Sequence, residues 1–126
     1  MARGARRISR PRKPSQNPSV KGLLKPTVDA IRKNGGVAAN REIFDIVAMD
    51  LQLPLSALDE VYDGTNQSVL GKRLAWARTI LKKWGIIVNI DRGVWAFPDK
   101  LSDKEIEELL QKLLIDEEVP EEFSEG

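Results

Sequence analysis

The sequence predicts a mainly α-helical domain with a small β-hairpin, arranged as a winged helix-turn-helix with an added C-terminal helix. Three amphipathic segments precede two short β-branched and aromatic runs that flank a Gly-containing turn. A short apolar run separates the first two helices, and a capped amphipathic segment follows the hairpin. The chain has 126 residues, of which 41% are hydrophobic. This suffices for one core but not for two full domains.

The first predicted helix covers residues 24–34, where apolar residues recur at helical spacing. Gly35 and Gly36 end it, because glycine readily adopts the left-handed conformation of helix C-termini. Pro26 is compatible with this helix in its first turn, where a missing backbone N–H costs nothing. Residues 37–39 are then predicted to form a very short strand.

The second predicted helix covers residues 41–52, with Asn40 as its N-cap. Its apolar residues recur with a period near that of the α-helix, and Pro54 lies just beyond its end. Ser56 is predicted to cap one short further turn of helix. An Asp-Gly pair breaks the chain after that turn.

The longest periodic segment runs from Gln67 to Trp84 and carries one continuous apolar stripe. Gly85 ends this third long helix. Two strands follow at residues 86–90 and 94–98, joined by an Asp-Arg-Gly turn into a hairpin. This hairpin would be the wing of the winged helix.

A last helix is predicted at residues 103–115, opened by the capping box of Ser102 and Glu105. Its apolar stripe has two interpretations. The helix either packs onto the domain, or it presents the stripe to a partner protein or a second copy of the chain.

Charge divides the chain into three parts. Residues 1–25 carry eight basic groups and no acid, whereas residues 102–126 carry two basic and ten acidic groups. The net charge of +1 is therefore a cancellation between the two ends. We expect a disordered basic arm at residues 1–22, a winged-helix domain at 23–100, an amphipathic acidic helix at 101–115 and a disordered acidic tail at 116–126.

Composition excludes several classes of function. The chain has no Cys and no His, which excludes disulfides, thiol nucleophiles, Ser–His–Asp catalysis and the usual zinc sites. No stretch approaches the roughly 20 apolar residues of a membrane span, and no secretory signal is present. We expect a cytoplasmic protein that is not an enzyme and uses neither a cofactor nor a metal.

The polar face of the third long helix is predicted to bind DNA. Spacing at about 100° per residue places Lys72, Thr79 and Lys83 opposite the apolar stripe, with Arg78 and Lys82 on one shoulder. No acid lies between Gln67 and Trp84, against five Lys and Arg. A face of one sign suits a phosphate-lined groove. The predicted DNA-binding residues are Asn66, Gln67, Ser68, Lys72, Arg78, Thr79, Lys82, Lys83 and Arg92.

Several of these cations have a second interpretation. Lys82 and Lys83 also complement the dipole at the helix C-terminus. Arg92 lies at the hairpin tip, where it either touches the minor groove or the DNA backbone or is a plain turn cation. Arg73, on the margin of the apolar stripe, suits a structural salt bridge to an acid such as Asp45 or Asp59. Trp76 suits packing, with base stacking as the alternative. The basic arm either adds affinity through counterion release or is a solubilising tail.

The segment R-L-A-W-A-R-T-I-L-K-K-W-G at residues 73–85, followed by R-G-V-W at residues 92–95, resembles the Mrr N-terminal domain family. The resemblance runs from about Leu23 to Lys100. Members of this family are winged-helix modules that usually precede a restriction-endonuclease-like domain in enzymes that cut modified foreign DNA. The resemblance implies a DNA-recognition module, in which Arg78, Lys82, Lys83 and Arg92 occupy motif positions.

The resemblance does not extend to the catalytic domain. The chain ends at Gly126, so we expect no nuclease domain within it. Pro98-Asp99 is followed by no Glu-x-Lys or Gln-x-Lys strand, which binds magnesium in such nucleases. We therefore do not predict nuclease activity.

The function expected from the sequence is double-stranded DNA binding as the recognition module of a restriction system acting on modified DNA. The alternative is a protein-interaction winged helix that recruits a partner such as a separate nuclease, or a small transcriptional regulator. The acidic tail is predicted to compete with DNA for the basic arm, so deleting residues 116–126 should tighten DNA binding at low salt.

Overall fold

The computed structural model describes residues 15–119, so most of the predicted arm and tail lies outside this range. Within it, five helices and a three-stranded antiparallel sheet confirm the predicted mainly α-helical class with a small hairpin. The elements follow the expected order. They are α1 (Val20–Lys33), β1 (Val37–Ala39), α2 (Asn40–Asp50), α3 (Leu55–Leu58), α4 (Val69–Lys83), β2 (Val88–Asp91), β3 (Val94–Ala96) and α5 (Asp103–Asp116).

Helix α1 begins at Val20, earlier than the predicted residue 24, and ends at Lys33. Ser19 caps it by accepting a hydrogen bond from the Gly22 N–H at 3.1 Å. Pro26 therefore lies inside the helix and not in its first turn. Proline there removes one hydrogen bond of the helix, so packing of the buried α1 face must offset that loss.

The segment before α1 is tied to the body of the protein. Asn17 is only 7% exposed, and its amide donates to the Ala57 carbonyl at 2.9 Å and to the Glu60 carboxylate at 2.8 Å. Arg73 donates to the carbonyl oxygens of Asn17 and Pro18, both at 3.1 Å. Composition assigned residues 15–22 to the disordered arm, but part of this segment is hydrogen-bonded to the body of the protein. Arg73 therefore has a structural role through these carbonyl oxygens, while the salt bridge predicted for it stays a prediction.

The hydrophobic core forms around α1, which touches α2, β1, α4 and α5. Its largest fully buried side chains are all branched aliphatics, which pack densely and carry no polar atoms. They are Leu23, Leu24, Ile31, Ile43, Leu70, Leu74, Leu81, Ile86, Ile87, Ile106, Leu110 and Leu113.

Helix α2 is capped at Ala39, not at the predicted Asn40. The Glu42 carboxylate accepts the Ala39 N–H at 2.8 Å and satisfies one donor of the first turn. Asn40 is the first helical residue, and its side chain is used elsewhere, in a bond to the hairpin. The helix ends at Asp50, before the predicted residue 52.

The short turn predicted after α2 is present as α3, which follows Pro54 and covers residues 55–58. Ser56 does not cap it as predicted. It lies inside the turn, and its hydroxyl donates to the Gln16 side chain at 2.8 Å.

Helix α4 begins at Val69 and not at the predicted Gln67, because Ser68 is its N-cap. The Ser68 hydroxyl accepts a hydrogen bond from the Gly71 N–H at 2.9 Å. The helix ends at Lys83, and Gly85 follows at φ 75°. The predicted glycine stop is therefore confirmed.

The sheet has the strand order β1-β3-β2, so the β2–β3 hairpin pairs through β3 with β1. Its strands are shorter than the predicted runs at 86–90 and 94–98. Ile86 and Ile87 precede β2 and are fully buried in the core. The register also shifts between Asn89 and Asp91, which shortens the regular pairing.

Helix α5 packs onto the body of the protein. The predicted capping box is confirmed, since Ser102 and Glu105 exchange bonds of 2.9 and 3.1 Å. Glu107 pairs with Arg32 of α1 at 3.2 Å. The centre of the apolar stripe is buried, so the chain itself covers the surface that was also interpreted as a docking site. The buried residues are Ile106, Leu110 and Leu113. Within residues 15–119 no helix has both the length and the apolar character to cross a membrane.

Candidate nucleic-acid interface

The outward face of α4 combines small residues with cations. Ala75 and Thr79 are exposed along its middle, and Gly71 precedes them at the same helical spacing of four. Lys82 and Lys83 are exposed in the last turn, and Lys72 is half-buried. No residue from Val69 to Lys83 carries a carboxylate. Small side chains let the helix backbone approach a partner closely, and the lysines make the approach favourable for an anionic one.

The turn before α4 holds the first three predicted site residues. Asn66 and Gln67 are exposed, and the Thr65 hydroxyl accepts the Gln67 N–H at 3.0 Å. Ser68 differs from them, because its hydroxyl already accepts a hydrogen bond as the N-cap of α4.

The hairpin tip exposes Arg92 in a stiff turn. Its N–H donates to the Asp91 carboxylate at 2.7 Å. The Asn89 amide donates to the carbonyl oxygens of Asp91 at 2.7 Å and Val94 at 2.8 Å. These bonds fix the backbone beneath Arg92 while its side chain is free to extend into solvent.

Asn40 joins the hairpin to the start of α2. Its N–H donates to the Gly93 carbonyl at 2.8 Å, and its side-chain oxygen accepts the Trp95 indole N–H at 2.8 Å. The backbone N–H and the side-chain oxygen of Asn40 therefore both bond the hairpin to the N-terminus of α2. The sequence did not predict this bond between Asn40 and Trp95, because Asn40 was interpreted as an N-cap and Trp95 as a core residue.

Arg78 lies on a shoulder of α4, as the helical spacing predicted, but its side chain is buried there. It is only 9% exposed, and its guanidinium carbon lies 5.8 Å from the centre of the Trp95 ring. Within residues 15–119 it pairs with no carboxylate, and its buried Nε has no hydrogen-bond partner. Burial lowers the pKa of Arg78 below its usual value, since desolvation penalises the charged form. An arginine nonetheless stays protonated at neutral pH.

Lys83 and Trp84 contact the chain that follows α5. Lys83 Nζ lies 3.2 Å from one Glu117 oxygen, and the Trp84 indole N–H donates to the other at 2.8 Å. These bonds hold the pKa of Glu117 below its usual value, the Trp84 bond being the larger cause. Part of the Lys83 charge is thus neutralised by an acid from the start of the predicted tail.

The structure brings the predicted residues together in two groups. Thr79, Lys82 and Lys83 share the exposed face of α4 with half-buried Lys72, and the turn residues lie at the start of that helix. Arg78 is separate, because it is buried against the hairpin. Residues 15–119 contain no cluster of three or more metal-ligating side chains.

Comparison with known proteins points to one family. The family model of the Mrr N-terminal domain matches residues 21–103, more than half of the chain. The match includes all of α2, α3, α4 and the hairpin, and nearly all of α1. No curated protein and no solved structure matches the chain significantly.

Proposed function

The chain belongs to the Mrr N-terminal domain family, and on this premise we propose that it binds double-stranded DNA as the recognition module of a restriction system. The observation that carries the proposal is the outward face of α4. That face holds small residues and lysines and no carboxylate from Val69 to Lys83. Solvated helix faces ordinarily mix both signs of charge, so a face of one sign favours a polyanionic partner.

We propose that α4 enters the major groove in the manner of a winged-helix recognition helix. The major groove is about 12 Å wide and admits one α-helix. Gly71 and Ala75 have small side chains, so the outward face of α4 is narrow at these positions. The side chains of Lys82 and Lys83 are long enough to reach the phosphates that flank the groove. The element order, with two helices before α4 and a hairpin after it, is the one expected of this binding mode.

The hairpin and the basic arm extend this surface. Arg92 at the exposed hairpin tip would contact the DNA backbone or the minor groove. The arm before Ser15 carries six basic groups, which would add affinity by counterion release without reading sequence. The family is an N-terminal domain and not a catalytic one, so the proposed role is recognition without catalysis.

A salt series tests this proposal. Fluorescence anisotropy would measure the affinity for a labelled duplex across salt concentrations, comparing wild type with Lys82→Ala/Lys83→Ala. The matched control is Lys104→Ala/Lys112→Ala, which removes the same charge from exposed positions on α5. Each lost phosphate contact lowers the slope of log affinity against log salt by about 0.9. We expect the α4 variant to lose about 2 from this slope and the control to keep the wild-type slope.

Equal slopes for the two variants would contradict a DNA-binding role for α4. No wild-type binding at about 50 mM salt would instead favour the protein-interaction alternative, because electrostatic binding is strongest at low salt.

A further inference from the structure

Arg78 has an energetic cost that the fold does not explain. Its side chain is 9% exposed, and within residues 15–119 its buried Nε has no hydrogen-bond partner. Burying an unpaired charge is destabilising unless a partner arrives from outside. The Trp95 ring covers one side of the guanidinium but accepts none of its N–H groups.

A cavity of about 260 Å³ lies where Arg78 is buried. Drug-sized ligands usually occupy pockets of about 300 to 1,000 Å³, so this cavity suits a smaller group. It is open to solvent between the first turn of α2 and the middle of α4. Its lining residues are Asn40, Arg41, Phe44, Gly71, Leu74 and Arg78.

The charges around the cavity favour an anion. Arg41 lies at the same cavity, and its side chain is 79% exposed. Its pair with Asp45, at 3.2 Å, is solvent-exposed and therefore weak. The N-terminus of α2 also lies at the cavity, and helix N-termini carry partial positive charge. Two of its N–H groups, those of Ala39 and Asn40, are already bonded to Glu42 and Gly93. The cavity thus combines one buried guanidinium, one exposed guanidinium that also contacts the Phe44 ring, and a helix N-terminus.

We propose that this cavity is an oxyanion site that seats a single phosphodiester group of bound DNA, with Arg78 as its buried donor. The inference rests on the proposed function and adds a defined phosphate contact to it. The fixed fork of N–H donors in a guanidinium matches two phosphate oxygens at once. The Trp95 ring centre lies 5.8 Å from the Arg78 guanidinium carbon, and Asn40 accepts the Trp95 indole N–H.

The site explains why the wing and α2 are bonded so tightly. Asn40 lines the cavity and accepts the Trp95 indole N–H, and the Trp95 ring in β3 lies 5.8 Å from the Arg78 guanidinium carbon. A DNA duplex lying along α4 would present its backbone to the N-terminus of α2, as helix N-termini commonly bind phosphates.

The test compares Arg78→Met with Lys82→Met, which removes an exposed charge one turn further along α4. Both variants are measured by anisotropy with the same duplex across a salt series. Arg78→Met should weaken binding by about 10- to 100-fold, because a buried charge-assisted hydrogen bond is lost. Lys82→Met should weaken binding only severalfold and through the salt slope. The thermal midpoint of Arg78→Met should equal or exceed that of wild type, since an unpaired buried charge has been removed.

A second measurement uses the unaltered protein and needs no variant to fold. Duplexes carrying one neutral methylphosphonate linkage at successive positions are compared with the parent duplex. One linkage should weaken binding by about tenfold or more, while its neighbours change binding little. Losses spread evenly over many linkages would overturn the proposal. Binding by Arg78→Met within twofold of Lys82→Met would also overturn it.

Failure of the proposed function is a separate outcome. If wild type binds no duplex at about 50 mM salt, DNA binding is contradicted. Inorganic phosphate then tests the cavity directly, with the NMR resonance of the Trp95 indole N–H as the reporter. A saturable shift that Arg78→Met abolishes would retain the oxyanion site. The absence of a shift would remove it.

Discussion

Gly93 lies so close to Asn40 that a side chain at its position would require the Asn40 side chain to shift. Its φ is 67°, in the left-handed region that side chains disfavour. A Cβ added there would lie 3.2 Å from the Asn40 amide nitrogen. The same Asn40 accepts the Trp95 indole N–H, so crowding at Gly93 would disturb the group that holds Trp95.

Gly93→Ala should therefore destabilise the protein more than Gly64→Ala does. Gly64 has a similar φ of 74° but open space around its Cβ position. The control substitution should cost about 1 kcal/mol from backbone strain alone. Gly93→Ala should cost about 1 kcal/mol more, because the Asn40 side chain must also move. Urea denaturation measures the free energy of unfolding of both variants. Equal losses relative to wild type would contradict a destabilising contact between the added Cβ and Asn40.

The role of Arg78 shows where residue-scale prediction from the sequence fails. Helical spacing placed it on a shoulder of α4, next to Lys82, which is correct as an angle on the helix. Its burial depends on Trp95, which the hairpin brings over it. A helical wheel describes one element at a time, so it contains no information about a side chain from another element. The position of Arg73 at the stripe margin implied its burial, but the backbone carbonyl oxygens that it bonds come from the segment before α1, which a helical wheel does not contain.

At the scale of elements, α4 depends on the cap at its first turn. Ser68 accepts the Gly71 N–H at 2.9 Å and so satisfies a donor that the helix itself leaves unpaired. The sequence predicted Ser68 as a DNA contact, and the cap gives this residue an additional role in stability.

Ser68→Ala should lower the free energy of unfolding by about 1 kcal/mol, as expected for the loss of an N-cap. Ser56→Ala is the matched control, because the Ser56 hydroxyl makes only an exposed bond to Gln16. It should change stability by less than about 0.5 kcal/mol. Chemical denaturation followed by circular dichroism compares the two. A Ser56 effect as large as the Ser68 effect would contradict the importance of the cap.

Periodicity and capping residues predicted every long helix and the hairpin, because those signals are local. The errors lie at the ends of elements. Helix α1 begins early because Ser19 caps it, next to a segment that bonds to α3 and α4. The cap of α2 is at Ala39 because Glu42 supplies the acceptor, which frees Asn40 for the hairpin. The groups that bond to the segment before α1 are distant in sequence. At the start of α2, two side chains could have supplied the cap. Local sequence patterns therefore do not locate these helix ends.

At the scale of the whole molecule, opposite charges meet where α5 ends. Glu117 contacts both Lys83 and Trp84 at the last turn of α4. The acidic end of the chain therefore begins next to the cations that we propose to bind DNA. The predicted competition for the basic arm concerns residues outside the described range of 15–119 and stays a prediction.

The Glu117 contact should weaken in acid. Its pKa is lowered in the folded protein by Trp84 and Lys83. The stabilisation is therefore complete above the unfolded-state pKa of about 4.3 and is lost as the pH falls through the lower folded-state value. The NMR chemical shift of the Trp84 indole N–H should titrate with pH, and its midpoint should equal the folded-state pKa of Glu117. Glu117→Gln should abolish the transition, and a midpoint above the usual glutamate value would contradict the assigned contacts.

Site-specific cross-linking tests directly whether the outward face of α4 lies against DNA. The chain contains no Cys, so one introduced thiol is the only site for disulfide cross-linking. Ala75→Cys places this thiol at the exposed middle of α4, and Gln111→Cys places it on the exposed surface of α5. Each variant is incubated with a duplex whose bases carry a thiol tether in the major groove.

We expect Ala75→Cys to form a covalent complex at a defined base position and Gln111→Cys to form none, as measured by denaturing electrophoresis. Cross-linking of Gln111→Cys in preference to Ala75→Cys, or equal and weak cross-linking of both, would contradict the placement of α4 in the groove.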